Sequence, residues 1–99
     1  MPVVLLTAPA ARQLNDAREW WLANRDKAPH AFDQDVAALL GFLEERPELV
    51  GRPFENHVSI RRVHLQRIRY YLYFQIMPED DRVLILAIWH ERRIHVPKF

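Results

Sequence analysis

Cysteine is absent from this 99-residue chain, and glycine and lysine occur only twice each. Without a thiol there is no disulfide framework, no thiolate nucleophile and no Cys-based zinc site. Two glycines cannot build the loops that cradle phosphates, and neither a G-x-G-x-x-G nor a Walker-type sequence occurs. No apolar run approaches membrane-spanning length. The opening "MPVVLLTAPA" lacks a basic start and its apolar stretch stops at Thr7, too short for the core of a signal peptide. A cytoplasmic protein without membrane contact is therefore expected.

What is present fits a single domain over residues 1–99. The apolar share of 49% and charged share of 27% are those of a soluble protein with one two-layer core. Charge is unevenly placed. Residues 1–50 carry five basic and eight acidic side chains, whereas residues 51–99 carry nine basic and five acidic ones. Eight of those nine cations are arginine, which suits planar contact with carboxylate or phosphate. The polarity points to a polyanionic target or an acidic protein partner.

The hydrophobic period changes once along the chain. Val3–Leu6 reads as a strand, and Thr7 can cap a helix whose first turn holds Pro9. Ala10, Leu14, Ala17 and Trp21 then repeat at helical spacing to about Arg25. Asp26 is the expected cap of a second helix, with Pro29 in its first turn. Its stripe of Phe32, Val36, Leu39, Leu40 and Leu43 ends at Pro47. Residues 48–57 read as a loop. Beyond it the period is two. Residues 59–65 and 67–76 read as strands, Pro78 to Asp81 as a hairpin turn, and Val83–His90 as a strand apolar on both faces. The order β-α-α-β-β-β follows. It defines an α+β fold, an antiparallel sheet with a helical hairpin packed on one face.

Within "RIRYYLYFQI", Ile68, Tyr70, Leu72, Phe74 and Ile76 form the face expected against the helices. Arg67, Arg69, Tyr71, Tyr73 and Gln75 form the other. Arginine and tyrosine on one face suggest contact chemistry, because both are enriched at interface anchors. Arg61-Arg62 and Arg92-Arg93 are expected to form a basic rim. Leu84, Leu86 and Ile88, or their alternates, would leave an apolar patch if uncovered. Trp20, Trp21 and Trp89 are expected in the core or in helix packing. His90 and His95 lack a third ligand at recognisable spacing, so no metal site and no cofactor are expected.

The helices "APAARQLNDAREWW" and "AFDQDVAALLGFLEERPELVGRP", followed by "SIRRVHLQRIRYYLYFQIMPEDDRVLILAIWHERR", resemble the RelE/ParE family of toxins from type II toxin–antitoxin systems, on the ParE-like side. The resemblance spans nearly the whole chain and rests on the order and spacing of the motifs. It implies a toxin of a plasmid-stabilisation or addiction pair, held inactive by a cognate antitoxin. RelE-like members cut messenger RNA on the ribosome, and ParE-like members bind and poison DNA gyrase.

Metal-free RNA cleavage needs an acid, a base and cations around the phosphate. RelE-like sites assemble these from Lys, Arg and a C-terminal Tyr. Here the only lysines are Lys27 and Lys98, no Tyr follows Tyr73, and the chain ends in Phe99. If the protein is a nuclease, the set expected to act is Arg62, Arg69, His90 and Arg93, with His64 and His95 nearby. A gyrase inhibitor needs only a surface, expected at Arg61, Arg62, Arg67, Arg69, Tyr71, Tyr73, Arg92 and Arg93. The expected reading is thus a binding protein directed at gyrase. The alternatives are a ribosome-dependent endoribonuclease and a non-toxic co-repressor. Operator DNA would be reached only through the antitoxin, and association into a homodimer is left open.

Overall fold

Thr7 closes the first strand and opens the first helix. Its hydroxyl oxygen accepts from the Ala10 N–H at 3.2 Å, and Pro9 occupies the first turn. Val3–Leu6 (β1) therefore passes directly into Ala8–Asn24 (α1). The computed structural model describes residues 1–26, 28–54, 57–93 and 95–99 and, at residue 58, the backbone alone.

The second helix (α2) spans Ala31–Glu45, so it starts later than Asp26 and Pro29 suggested. The residue before a proline is biased away from helical geometry, and here the chain turns until His30 instead. The Ala28 carbonyl holds that joint together. It accepts the Ala31 N–H at 3.2 Å and the Trp21 indole N–H at 2.8 Å. Pro47 ends the helix as expected and begins a short 3-10 turn, Pro47–Leu49.

The remaining strands are β2 (Arg52–Phe54), β3 (His57–Leu65), β4 (Tyr70–Met77) and β5 (Arg82–His90). They form one sheet in the order β1-β5-β4-β3-β2. The α+β class, the helical hairpin on one face and the order of the main elements are as expected. Two details are new. Within the expected loop, Arg52–Phe54 pairs with β3, and β1 runs parallel to β5, which makes the sheet mixed. Β-pairing is a tertiary event, and a three-residue strand containing proline carries almost no periodicity to read.

A second correction concerns residues 67–69. They belong to the β3–β4 turn, with Arg69 at φ 65° and its N–H donating to the Leu65 carbonyl at 2.8 Å. Positive φ is normally signalled by Gly or Asn, and an arginine there gives no warning.

Helices and sheet enclose a core of Phe32, Leu43, Ile68, Leu72, Phe74 and Ile85, all almost fully buried. A smaller cluster of Ile60, Tyr73 and Ala87 lies on the opposite face, flanked by Phe54, Tyr71, Leu86 and Trp89. An irregularity opposite Tyr73/Phe74 makes this possible. There β5 contributes both Leu86 and Ala87 to the second cluster while Ile85 and Ile88 stay in the first. The apolar patch that an uncovered β5 would leave does not occur, because Ile88 is buried and Leu84 and Leu86 are half-buried. Part of the cover is the C-terminal tail. Phe99 packs against Tyr73 at 5.4 Å and Phe54 at 6.3 Å, Pro97 is buried, and Trp89 donates its indole N–H to the His95 carbonyl at 2.6 Å.

Candidate functional site

The sheet face away from the helices carries cations braced on rings. Alternation along β3 and β4 brings Arg62, His64 and Tyr71 to this side, since His64 pairs with Tyr71 and Arg62 with Tyr73. The Arg62 guanidinium lies 4.3 Å from the centre of the Tyr71 ring and 5.5 Å from that of Phe54. His64 packs against Tyr71 as well, ring centres 4.7 Å apart. Beyond β5, Arg93 rests 3.5 Å over Trp89. A guanidinium held over an aromatic ring keeps its charge, loses rotamer freedom in advance and still offers N–H groups outward.

Glu91 was not anticipated from the sequence. Its carboxylate stands 3.4 Å from His64 Nε2 and 3.8 Å from Arg69 Nε, and its backbone N–H donates to the Arg69 carbonyl at 3.0 Å. One acid thus ties the β3–β4 turn to the end of β5. Its only signal in the sequence was its place within "HERR".

The expected contact residues do not form one surface. Tyr73 is 1% exposed and belongs to the second cluster, so it supports Tyr71 and Phe99 and cannot anchor a partner. Arg67 turns to α2, where Asp35 grips it at 2.6 and 3.0 Å and Gln34 adds a contact at 3.2 Å. The hydrogen bond to Asp35 is the main reason its pKa is raised. Arg61 is committed to the chain before β2, donating to the Gly51 carbonyl at 2.9 Å and to that of Val50 at 3.0 Å. Arg92 lines a cleft on the helix side, while Arg93 lies between the two faces. Trp21 is buried as expected and Trp89 half-buried, but Trp20 is 44% exposed at the cleft mouth.

Nor do Arg62, Arg69, His90 and Arg93 share one site: Arg62 lies over Tyr71 on the outer face, whereas His90 lines one cleft with Arg69 and another with Arg93. His90 faces the helix side, its ring set edge-on to the buried Tyr70 at 5.0 Å. Its pKa is lowered, first by burial and then by the charges of Arg92, Arg69 and Arg25, with Glu91 opposing. The same burial raises the Tyr70 pKa. Among the described residues, the imidazole that does meet a carboxylate is His64. Among the described residues no group of three His, Cys, Asp or Glu side chains could hold a metal ion, and no helix is long and apolar enough to cross a membrane.

A small α+β domain thus presents arginines braced on aromatic rings. The profile of the ParE toxin of the type II toxin–antitoxin system parDE matches residues 4–95. The chain belongs to that family and is a toxin of a type II toxin–antitoxin system. Solved structures share the fold. A chain of the chromosomal ParDE system from P. aeruginosa superposes with a TM-score of 0.71 at 20% identity, covering 91% of this chain and 96% of the other. One of the RelBE2 toxin–antitoxin complex from Mycobacterium tuberculosis gives 0.66 at 23% identity, covering 91% and 99%. One of the intact E. coli RelBE complex gives 0.59 at 16%, covering 94% and 100%. No curated protein sequence matches significantly.

Proposed function

We propose that this toxin inhibits DNA gyrase by binding it through the outer sheet face, with Arg62, Tyr71 and Arg93 as the contact residues. The observation that carries this reading is the match to the ParE profile across residues 4–95. The braced guanidiniums support it, because they offer area and charge without needing a reaction centre. A cognate antitoxin neutralises the toxin by covering the same face, with carboxylates against these arginines, and carries the pair to operator DNA.

The purified protein is expected to block gyrase supercoiling while leaving cell-free translation unchanged. The Arg62→Ala/Arg93→Ala variant should fold normally and require at least about tenfold more protein for the same inhibition, since interface anchors are worth roughly 1–2 kcal/mol or more each. Supercoiling unaffected by the native protein would sink the proposal.

A second reading is favoured by one contact. His64 and Glu91 stand 3.4 Å apart beside Arg69 and Tyr71. An imidazole next to a carboxylate can take a proton from a 2′-hydroxyl, with guanidinium groups stabilising the phosphate. This arrangement supports a ribosome-dependent endoribonuclease. Cleavage of ribosome-bound message, abolished by His64→Ala, would establish it in place of the gyrase reading.

A further inference from the structure

The helix side of the molecule holds a cleft of about 560 Å³ between the end of α1, the joint before α2 and the turn after β5. Arg25, Arg67, Arg69 and Arg92 all line it, together with His90 and the indoles of Trp20 and Trp21. Four guanidiniums around one concavity repel one another and focus a positive potential into it. Two are compensated locally, Arg67 by Asp35 and Arg69 more loosely by Glu91. Arg25 and Arg92 have no carboxylate at ion-pair distance among the described residues. Arg25 is held instead over the two indoles, 5.4 and 5.6 Å from their centres.

The wall between these cations is aromatic, because Trp20 leaves 44% of its surface open. His90 adds a directed donor. Its Nδ1 accepts the Arg92 backbone N–H at 3.1 Å, so the neutral ring carries its hydrogen on Nε2. Partial burial, and after it the surrounding guanidiniums, favour that neutral form.

We propose that this cleft binds a nucleoside phosphate, the phosphoryl group lying between the guanidiniums of Arg25 and Arg92 and the base against the Trp20 indole. The volume falls in the range of small-ligand sites. Arginine supplies planar donors for phosphoryl oxygens, and indole supplies a stacking surface for any base. An extended acidic peptide fits less well. Such a segment gains much of its affinity by pairing with a free strand edge, whereas β4 and β5 are already paired on both sides. The site does not depend on the gyrase reading, and its test contains no gyrase.

The intact protein would be titrated with ADP, adenosine, inorganic phosphate and a hexaglutamate peptide, following tryptophan fluorescence and heat. ADP should bind saturably and quench the indoles, with adenosine and phosphate each at least tenfold weaker. Arg92→Glu and Arg25→Ala/Arg92→Ala should each weaken ADP at least tenfold, while Trp20→Ala should weaken ADP but not phosphate. Arg62→Ala, on the opposite face, should bind ADP like the native protein. Arg92→Glu guards against misfolding at the α1 end, because the Arg92 side chain makes no hydrogen bond among the described contacts. Circular dichroism would check each variant. No saturable ADP binding at millimolar concentration, undiminished binding by Arg92→Glu, or equal affinity for phosphate or hexaglutamate would overturn the proposal.

Discussion

Arg61 and Arg62 are adjacent in β3 yet serve opposite sides of the sheet. Arg61 donates to the carbonyls of Gly51 and Val50, whereas Arg62 lies over Tyr71. If the outer face binds the target as proposed, the pair separates support from contact. Arg61→Ala leaves two carbonyls without their charged donor and should lower stability by about 1–3 kcal/mol in urea denaturation. Arg62→Ala removes two partly exposed cation–π contacts, the one to Phe54 the more distant, and should cost no more than about 1 kcal/mol. Its effect should appear in toxin activity. Equal losses of stability for the two variants would contradict the division.

Gly51 and Gly41 should respond to alanine with opposite signs. Gly51 has φ 64°, and a Cβ there would collide with the Arg62 carbonyl group. Strand β3 is fixed by its partners on both sides, so the clash has no inexpensive relief. Gly51→Ala should destabilise by more than about 1 kcal/mol. Gly41 lies within α2, and a Cβ there meets nothing within 4 Å. Gly41→Ala should stabilise by roughly 0.5–1 kcal/mol. Thermal melts of the two variants provide the check.

His90 makes stability depend on pH in a definite direction. Its pKa in the folded protein lies below the ordinary 6.5, chiefly through burial and then through Arg92, Arg69 and Arg25, against the opposing pull of Glu91. Between the lowered value and 6.5 the unfolded chain binds more protons than the folded one, so stability rises with pH across that window. The contribution is fully present above 6.5 and is lost as pH falls through the folded pKa. In His90→Gln the slope of urea midpoint against pH should flatten there. A slope unchanged in this variant would assign the dependence to other groups.

Much of the fold was legible because local signals agreed with tertiary ones. Thr7 caps α1, Pro47 stops α2, and the apolar run from Val83 to Trp89 lies between two strands of the sheet. The site was less legible, for reasons visible in particular residues. Alternation assigned Tyr73 to the correct face, but could not show that Phe54 and Phe99 would fold over it. Arg69 enters a left-handed turn with no glycine to announce it, which removes Arg67 and Arg69 from the strand. Arg61 and Arg62 look equivalent in sequence because a side chain's partner is chosen by the third dimension. Glu91 gains its significance only when the β3–β4 turn meets the end of β5.

The parallel pairing of β1 with β5 joins Val3–Leu6 to residues 82–85. A polypeptide leaving the ribosome N-terminus first cannot complete that ladder until residues 82–85 have emerged, and contacts so distant in sequence form late. The growing chain can make its two helices early, but their apolar stripe has no sheet to rest on. Completion of the fold is thereby postponed until the last strand has been made and has reached back to the first.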